Sequence, residues 1–207
     1  MTSDRNVRIA DMQIITKRFL LRDFVEDDVP AFLAYHEDPR ALAFCGPQER
    51  QPGYGLELLE RFTRWAAERP RRNYQFVIVQ RREPRSLIGC CGVRTAESEQ
   101  GTGELGVELA PTYWGRYGYA LEAASAILDF GFDELHLQEL YSRTVSANER
   151  VVRLARWVGA VAGDRPTPYW MASPGWRCTE WRIKRQQLEL TRPALRALCR
   201  LQDLSHR

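Results

Sequence analysis

At 207 residues and 44% hydrophobic content, the chain is long enough for one domain with a substantial core, and a single unit over 1–207 is expected. The formal charge is only +3. Lysine fills just two of the 30 basic positions, 17 and 184, and 27 acidic residues are interspersed among the arginines, so nucleic-acid binding is not expected. The five cysteines show no Cys-x-x-Cys or Cys/His ligand spacing, Met1-Thr-Ser-Asp-Arg5 lacks a basic-then-apolar signal, and no apolar run reaches the roughly 18 residues of a membrane span; these exclude a disulfide framework, a metal site and a membrane segment, and predict a cytoplasmic protein.

Along the chain, Met12–Arg22 reads as a first strand. The acidic turn Glu26-Asp-Asp28 opens a helix through Val29, Phe32, Leu33 and His36, and Asp38-Pro39 closes it. Leu56–Ala67 places Leu58, Leu59, Phe62 and Trp65 at helical spacing and stops before Pro70. Tyr74–Gln80, Leu87–Arg94 and Glu104–Leu109 read as three strands, and a helix then runs to about Leu135 with Leu121, Ala124, Leu128 and Phe132 along one stripe. Leu140–Val145 is the next strand, and Glu149–Val158 a helix that Gly159 ends. From 160 to 178 prolines mark a long loop, Thr179–Gln186 is a last strand, and Pro193–Leu204 a terminal helix. This order is not regular βαβ alternation. It predicts an α/β (α+β) fold with a mixed, mostly antiparallel central sheet and helices on both faces.

The most informative stretch is Pro111–Ala123, which leaves a strand and enters a helix. Gly115 and Gly118 let the backbone turn tightly, and a helix start leaves N–H groups without intrahelical partners. A diphosphate accepts such bonds and meets the positive end of the helix dipole, which favours an anion by roughly 0.3–1 kcal/mol per charge. Neither Gly-x-x-x-x-Gly-Lys-Ser/Thr nor Gly-x-Gly-x-x-Gly is present, which argues against nucleotide hydrolysis and dinucleotide redox chemistry.

Trp114-Gly-Arg-Tyr-Gly-Tyr-Ala-Leu-Glu-Ala123 resembles the Trp-Gly-x-Gly-Tyr-Ala-x-Glu-Ala loop of GNAT acetyltransferases of the RimJ/RimL-like branch, with one extra residue before the second glycine. Thr16-Lys-Arg-Phe-Leu-Leu-Arg22 is similar to that branch's Thr-x-Arg-Leu-x-Leu-Arg opening, and Asp38-Pro39 recurs there. Leu87-Ile-Gly-Cys-Cys-Gly92 resembles its Ile-Gly-x-x-Gly strand, and Glu104-Leu-Gly-Val-Glu-Leu-Ala-Pro111 its Glu-Ile-Gly-Tyr-x-Leu-x-Pro. Asn148 and Gly159 bracket a helix as in the family, although Ala160 replaces an aromatic residue. The resemblance spans roughly residues 12–160, and the element order is also the GNAT one.

The resemblance implies an acetyl-CoA-dependent N-acetyltransferase that moves the acetyl group directly to a primary amine, on a protein N-terminus or a small molecule, without a metal. The backbone of Val107 and Leu109 would flank the pantetheine and thioester, and Arg116, Tyr117, Gly118, Tyr119 and Ala120 would offer amides to the diphosphate. Asn148 would contact the CoA arm, and Asn is also a favoured helix N-cap. Glu104 and Glu108 are the candidate bases, on one face of a regular strand with Leu105, Val107 and Leu109 on the other; a bulge would separate them. Position 155, where many family members carry the tyrosine that protonates the leaving thiolate, is Ala here, and Val151 replaces a serine. Those departures keep open a second reading, a CoA-binding regulatory or interaction module without turnover. Family members often form homodimers, though no feature of this sequence demands one.

Cys90 and Cys91 are weak candidates for a nucleophile, since neighbours on a strand face opposite ways and no histidine lies near them in sequence. His36 and His136 read as structural. For the acceptor, an α-amine is about one-seventh neutral at pH 7 and a lysine about one part in 2,500, so a base matters far more for lysine. Trp65, Trp170, Trp176, Trp181, Tyr54 and Tyr169 are candidate walls of an acceptor cleft.

Overall fold

A computed structural model describes residues 7–8 and 12–204. Among them one sheet contains β1 (Val7–Arg8), β2 (Gln13–Ile15), β3 (Phe19–Arg22), β4 (Asn73–Gln80), β5 (Leu87–Arg94), β6 (Thr102–Leu109), β7 (Glu139–Val145), β8 (Val161–Asp164) and β9 (Cys178–Lys184). The helices are α1 (Val29–His36), α2 (Pro39–Leu42), α3 (Tyr54–Ala67), α4 (Tyr117–Asp129), α5 (Glu149–Val158), α6 (Tyr169–Ala172) and α7 (Arg185–Leu204). Strand order is β1-β2-β3-β4-β5-β6-β7-β9-β8. All neighbours are antiparallel except β6 and β7, which gives the mixed, mostly antiparallel sheet expected from the element order.

Helices cover both faces. On one, Leu121, Ala124, Ile127 and Leu128 of α4 bury against Phe76, Ile78, Cys91, Val93 and Leu109, and Val158 of α5 and Leu188 of α7 join the same core. On the other, Phe32 and Tyr35 of α1 and Leu59 and Phe62 of α3 pack with Cys90 and Ala110. Alternation along β5 therefore sends Cys90 and Cys91 into different cores, as a strand must.

Several segments depart from the sequence expectation for local reasons. Met12–Arg22 is a hairpin rather than one strand: Thr16 Oγ1 accepts from Phe19 N–H at 3.0 Å and turns the chain between β2 and β3. Pro39 does not simply end α1, because Asp38 caps a further short helix by accepting from Arg40 N–H at 2.8 Å. Residues 160–178 contain β8 and α6, so that stretch is not one long loop. The terminal helix begins at Arg185, eight residues before Pro193, which sits inside it. The α4 helix continues as one π-helical turn over Phe130–Glu134. No helix among the described residues is long and apolar enough to cross a membrane.

Candidate active site

The site begins where two strands part. β6 and β7 pair only over Thr102–Glu139, Gly103–Leu140 and Glu104–Tyr141, while β7 stays paired with β9 as far as Val145. Beyond Glu104 the sheet opens. Ala110 N–H donates to Ile88 O at 2.8 Å, so by antiparallel alternation Glu104, Gly106 and Glu108 exchange bonds with β5. The backbone groups of Leu105, Val107 and Leu109 then point into the gap; Leu109 O accepts from Trp114 Nε1 at 2.8 Å. A cleft of about 1220 Å³ occupies this opening and is lined from both faces of the sheet.

On the α4–α5 side its walls include Trp114, Gly115, Arg116, Ala120, Asn148, Arg150, Val151, Leu154 and Trp157. Gly115 has φ 83°, a left-handed backbone that turns the chain from the short 3-10 turn Pro111–Tyr113 into α4, and no atom lies within 4 Å of where its Cβ would be. The guanidinium of Arg116 sits 5.7 Å from the Tyr113 ring centre and 5.5 Å from that of Tyr119, and Arg150 stacks 3.9 Å over Trp114. Two of the expected loop amides are engaged within the loop: Arg116 N–H donates to Tyr113 O at 3.3 Å and Tyr119 N–H to Arg116 O at 2.8 Å. Gly118 offers its carbonyl to Arg18 Nη2 at 2.8 Å, and the Tyr119 ring packs edge-on to Phe19 rather than into the cleft. Asn148 both lines the cleft and caps α5, accepting from Val151 N–H at 3.4 Å.

Glu104 and Glu108 leave the same face of β6, whose register with β5 runs without a shift from Gly89–Leu109 to Arg94–Glu104. No bulge separates them there, and four residues of strand put them roughly 13 Å apart along the chain. Their surroundings differ. The Glu104 carboxylate takes Arg94 Nε at 3.3 Å. Glu108 is reached by solvent through the cleft, yet the cleft walls enclose its carboxyl; loss of hydration, then repulsion from Glu49, push its pKa up to about 7 against the opposing bond from Cys90. Cys90 Sγ lies 3.9 Å from Glu108 Oε2 and accepts from Tyr35 Oη at 3.3 Å.

Burial pushes the Cys90 thiol up to about 12 and the Cys91 thiol up as well, which keeps both protonated and poor nucleophiles at neutral pH. His36 stacks on Phe32 with ring centres 5.2 Å apart, and desolvation lowers its pKa. Of the candidate aromatic walls, Tyr54 and Trp65 line the cleft beside Phe32 and Phe62. Trp170 and Trp176 instead pack on Phe44, Met171 and Cys178, Trp181 is buried in β9, and Tyr169 is exposed. Sequence reasoning missed Tyr35, Glu49, Arg150 and Trp157. Glu49 carries no motif, but the Cys90–Glu108 juxtaposition follows directly once β5 and β6 are placed in register.

No group of His, Cys, Asp or Glu among the described residues is arranged to hold a metal. The profile of the acetyltransferase (GNAT) domain matches residues 18–161. YkkB of Bacillus subtilis is 31% identical over 166 residues, covering 72% of this chain and 86% of its own. Spermidine N-acetyltransferase from Vibrio cholerae, solved in complex with CoA and spermine, superposes with a TM-score of 0.69 at 17% identity, over 84% of this chain and 99% of its own. Mycobacterium smegmatis RimJ in complex with CoA-disulfide gives a TM-score of 0.65 at 18% identity, over 82% of this chain and 83% of its own. With the profile match extending over well more than half of its length, the chain belongs to the GNAT family of acetyltransferases and is an acyltransferase.

Proposed function

We propose that the protein moves the acetyl group of acetyl-CoA directly to a primary amine, with Glu108 accepting the amine's proton. The observation that carries this reading is the place of Glu108 in the cleft, on the stretch of β6 that has already parted from β7, where loss of hydration and Glu49 push its carboxyl up to about 7. A base poised near the working pH is ionised in a large fraction of molecules and still accepts a proton readily. Glu104 suits the part less well, because Arg94 already holds its carboxylate.

The residues of the α4–α5 side fit the co-substrate. Backbone groups of Val107 and Leu109 flank the acyl and pantetheine portion and polarise its carbonyl. The open turn at Gly115, the remaining α4 start around Tyr117, Gly118 and Ala120, and the Arg116 and Arg150 cations suit a diphosphate. Asn148 lines the CoA arm while capping α5. When bound, the thioester supplies an activated acyl carbon; nitrogen bonds to it as the carbon–sulfur bond breaks, Glu108 takes the proton, and the thiolate leaves. The acceptor is an amine reaching Glu108 between Tyr54, Trp65, Phe32 and Phe62, a class that includes protein N-termini and small amines.

Thiol release from acetyl-CoA in the presence of an amine panel tests the proposal. Turnover is expected in the wild type and a loss of at least about 100-fold in Glu108→Gln, in line with general-base contributions of 10²–10⁴. Tight CoA binding without thiol release across the panel would instead favour the module without turnover.

A further inference from the structure

We infer that Tyr35 and Cys90 are positioning residues for the reaction, forming a buried chain of donors that orients the Glu108 carboxylate toward the acceptor. This rests on Glu108 acting as the base. Cys90 sits directly opposite Glu108 in the β5–β6 register, so the thiol reaches the carboxylate across one strand spacing, with Sγ 3.9 Å from Oε2. Tyr35 Oη, from α1 on the same face, donates to that sulfur at 3.3 Å. Tyr35 and Cys90 are both almost completely buried, and packing fixes them: the Tyr35 ring meets Phe32 edge-on at 5.3 Å.

The chemistry follows from the direction of the donors. The Tyr35 hydroxyl donates its hydrogen bond to the sulfur, which leaves the S–H of Cys90 to point at Glu108. A thiol is a weak donor, but a neighbouring hydroxyl that donates to its sulfur strengthens it. One carboxylate oxygen is thereby held, and the other is left for the amine. Burial keeps the thiol protonated, so it remains a donor rather than becoming a competing anion. The remaining groups facing Glu108 are Glu49 and Cys45 from the segment after α2; His36 of α1, Tyr54 of α3 and Arg94 of β5 line the same cleft. Among the groups that act on the Glu108 charge, Cys90 opposes the rise in its pKa, while burial and Glu49 promote it.

The experiment is the pH profile of kcat/KM for the full chain with wild type, Tyr35→Phe, Cys90→Ala, Cys90→Ser and Glu108→Gln. Cys90→Ala is expected to move the acid limb upward by about half to one pH unit, since a weak bond to the ionised form is lost. Tyr35→Phe, nearly isosteric, should move it in the same direction by less, and Cys90→Ser, which restores a donor, should return it to the wild-type position or below. An acid limb that stays at its wild-type pH in both Cys90→Ala and Tyr35→Phe, while Glu108→Gln abolishes it, overturns the positioning roles and leaves the base intact. Retention of the limb in Glu108→Gln overturns the base itself, and the two failures are thus separable.

Discussion

Glu122 of α4 holds Arg18 by two bonds, to the guanidinium Nε at 2.6 Å and to the backbone N–H at 2.7 Å. Thr16 Oγ1 donates to the same carboxylate at 2.5 Å, so one side chain from the glycine-loop helix clamps the β2–β3 turn. Two stretches singled out separately in the sequence, Thr16–Arg22 and Trp114–Ala123, are one structural unit.

The clamp is mostly buried, with the two side chains 22% and 12% exposed, so removing one partner strands the other. Glu122→Ala should lower stability by about 2–3 kcal/mol in chemical denaturation. A double-mutant cycle with Arg18→Ala should give a coupling of at least about 1 kcal/mol. Additive losses would mean the contact does not couple the hairpin to α4.

Glu108 predicts a signature in stability as well as in rate. Its folded pKa, about 7, lies above the ordinary 4.5, so the folded state retains a proton the unfolded chain has lost between those values. The stabilisation is complete below about 4.5 and disappears as pH rises through 7. Glu108→Gln should therefore be more stable than wild type above pH 7, by about 1–2 kcal/mol once screening by cleft water is allowed for. Thermal unfolding at pH 5 and pH 8 reads this, and an equal difference at both would refute it.

Glu180 of β9 should behave in the opposite sense. Burial alone would raise its pKa, but bonds from Arg165, Arg182 and Arg143 overcome that and hold it at about 2. Its contribution is present above the unfolded value of 4.5 and is lost as pH falls through 2. Glu180→Gln should cost about 2 kcal/mol at pH 7, allowing for partly exposed arginines, and should flatten the acid dependence of unfolding.

At Gly115 the backbone matters more than space. With φ at 83° and open surroundings for a Cβ, Gly115→Val meets no clash but strains the turn by about 1–2 kcal/mol. The expected result is a several-fold higher KM for acetyl-CoA with kcat little changed, together with a melting temperature lower by about 2–8 °C. A KM equal to wild type would show that the turn does not contact the co-substrate.

Much of this was legible in the sequence because its signals are local. Leu87–Arg94 is a short run of small and apolar residues around Gly89 and Gly92, Glu149–Val158 carries a three-to-four-residue apolar spacing, and the two segments coincide with β5 and α5. Short elements fared worse. The turn that Thr16 makes between β2 and β3 is anchored by a side chain 106 residues away, and β8 has all four residues exposed, so it shows no alternation. The site divides in the same way. Glu104 and Glu108 stand out on one strand, but which of them is free depends on Arg94, Cys90 and Glu49, contacts that arise only when distant segments meet.

The parting of β6 from β7 has one more consequence. Because the gap passes between α1 and α3 on one face and α4 and α5 on the other, the proposed donor and acceptor would approach Glu108 from opposite faces of the sheet. On the proposed mechanism neither would have to vacate the protein for its counterpart to arrive, and both would be aboard when the bond forms.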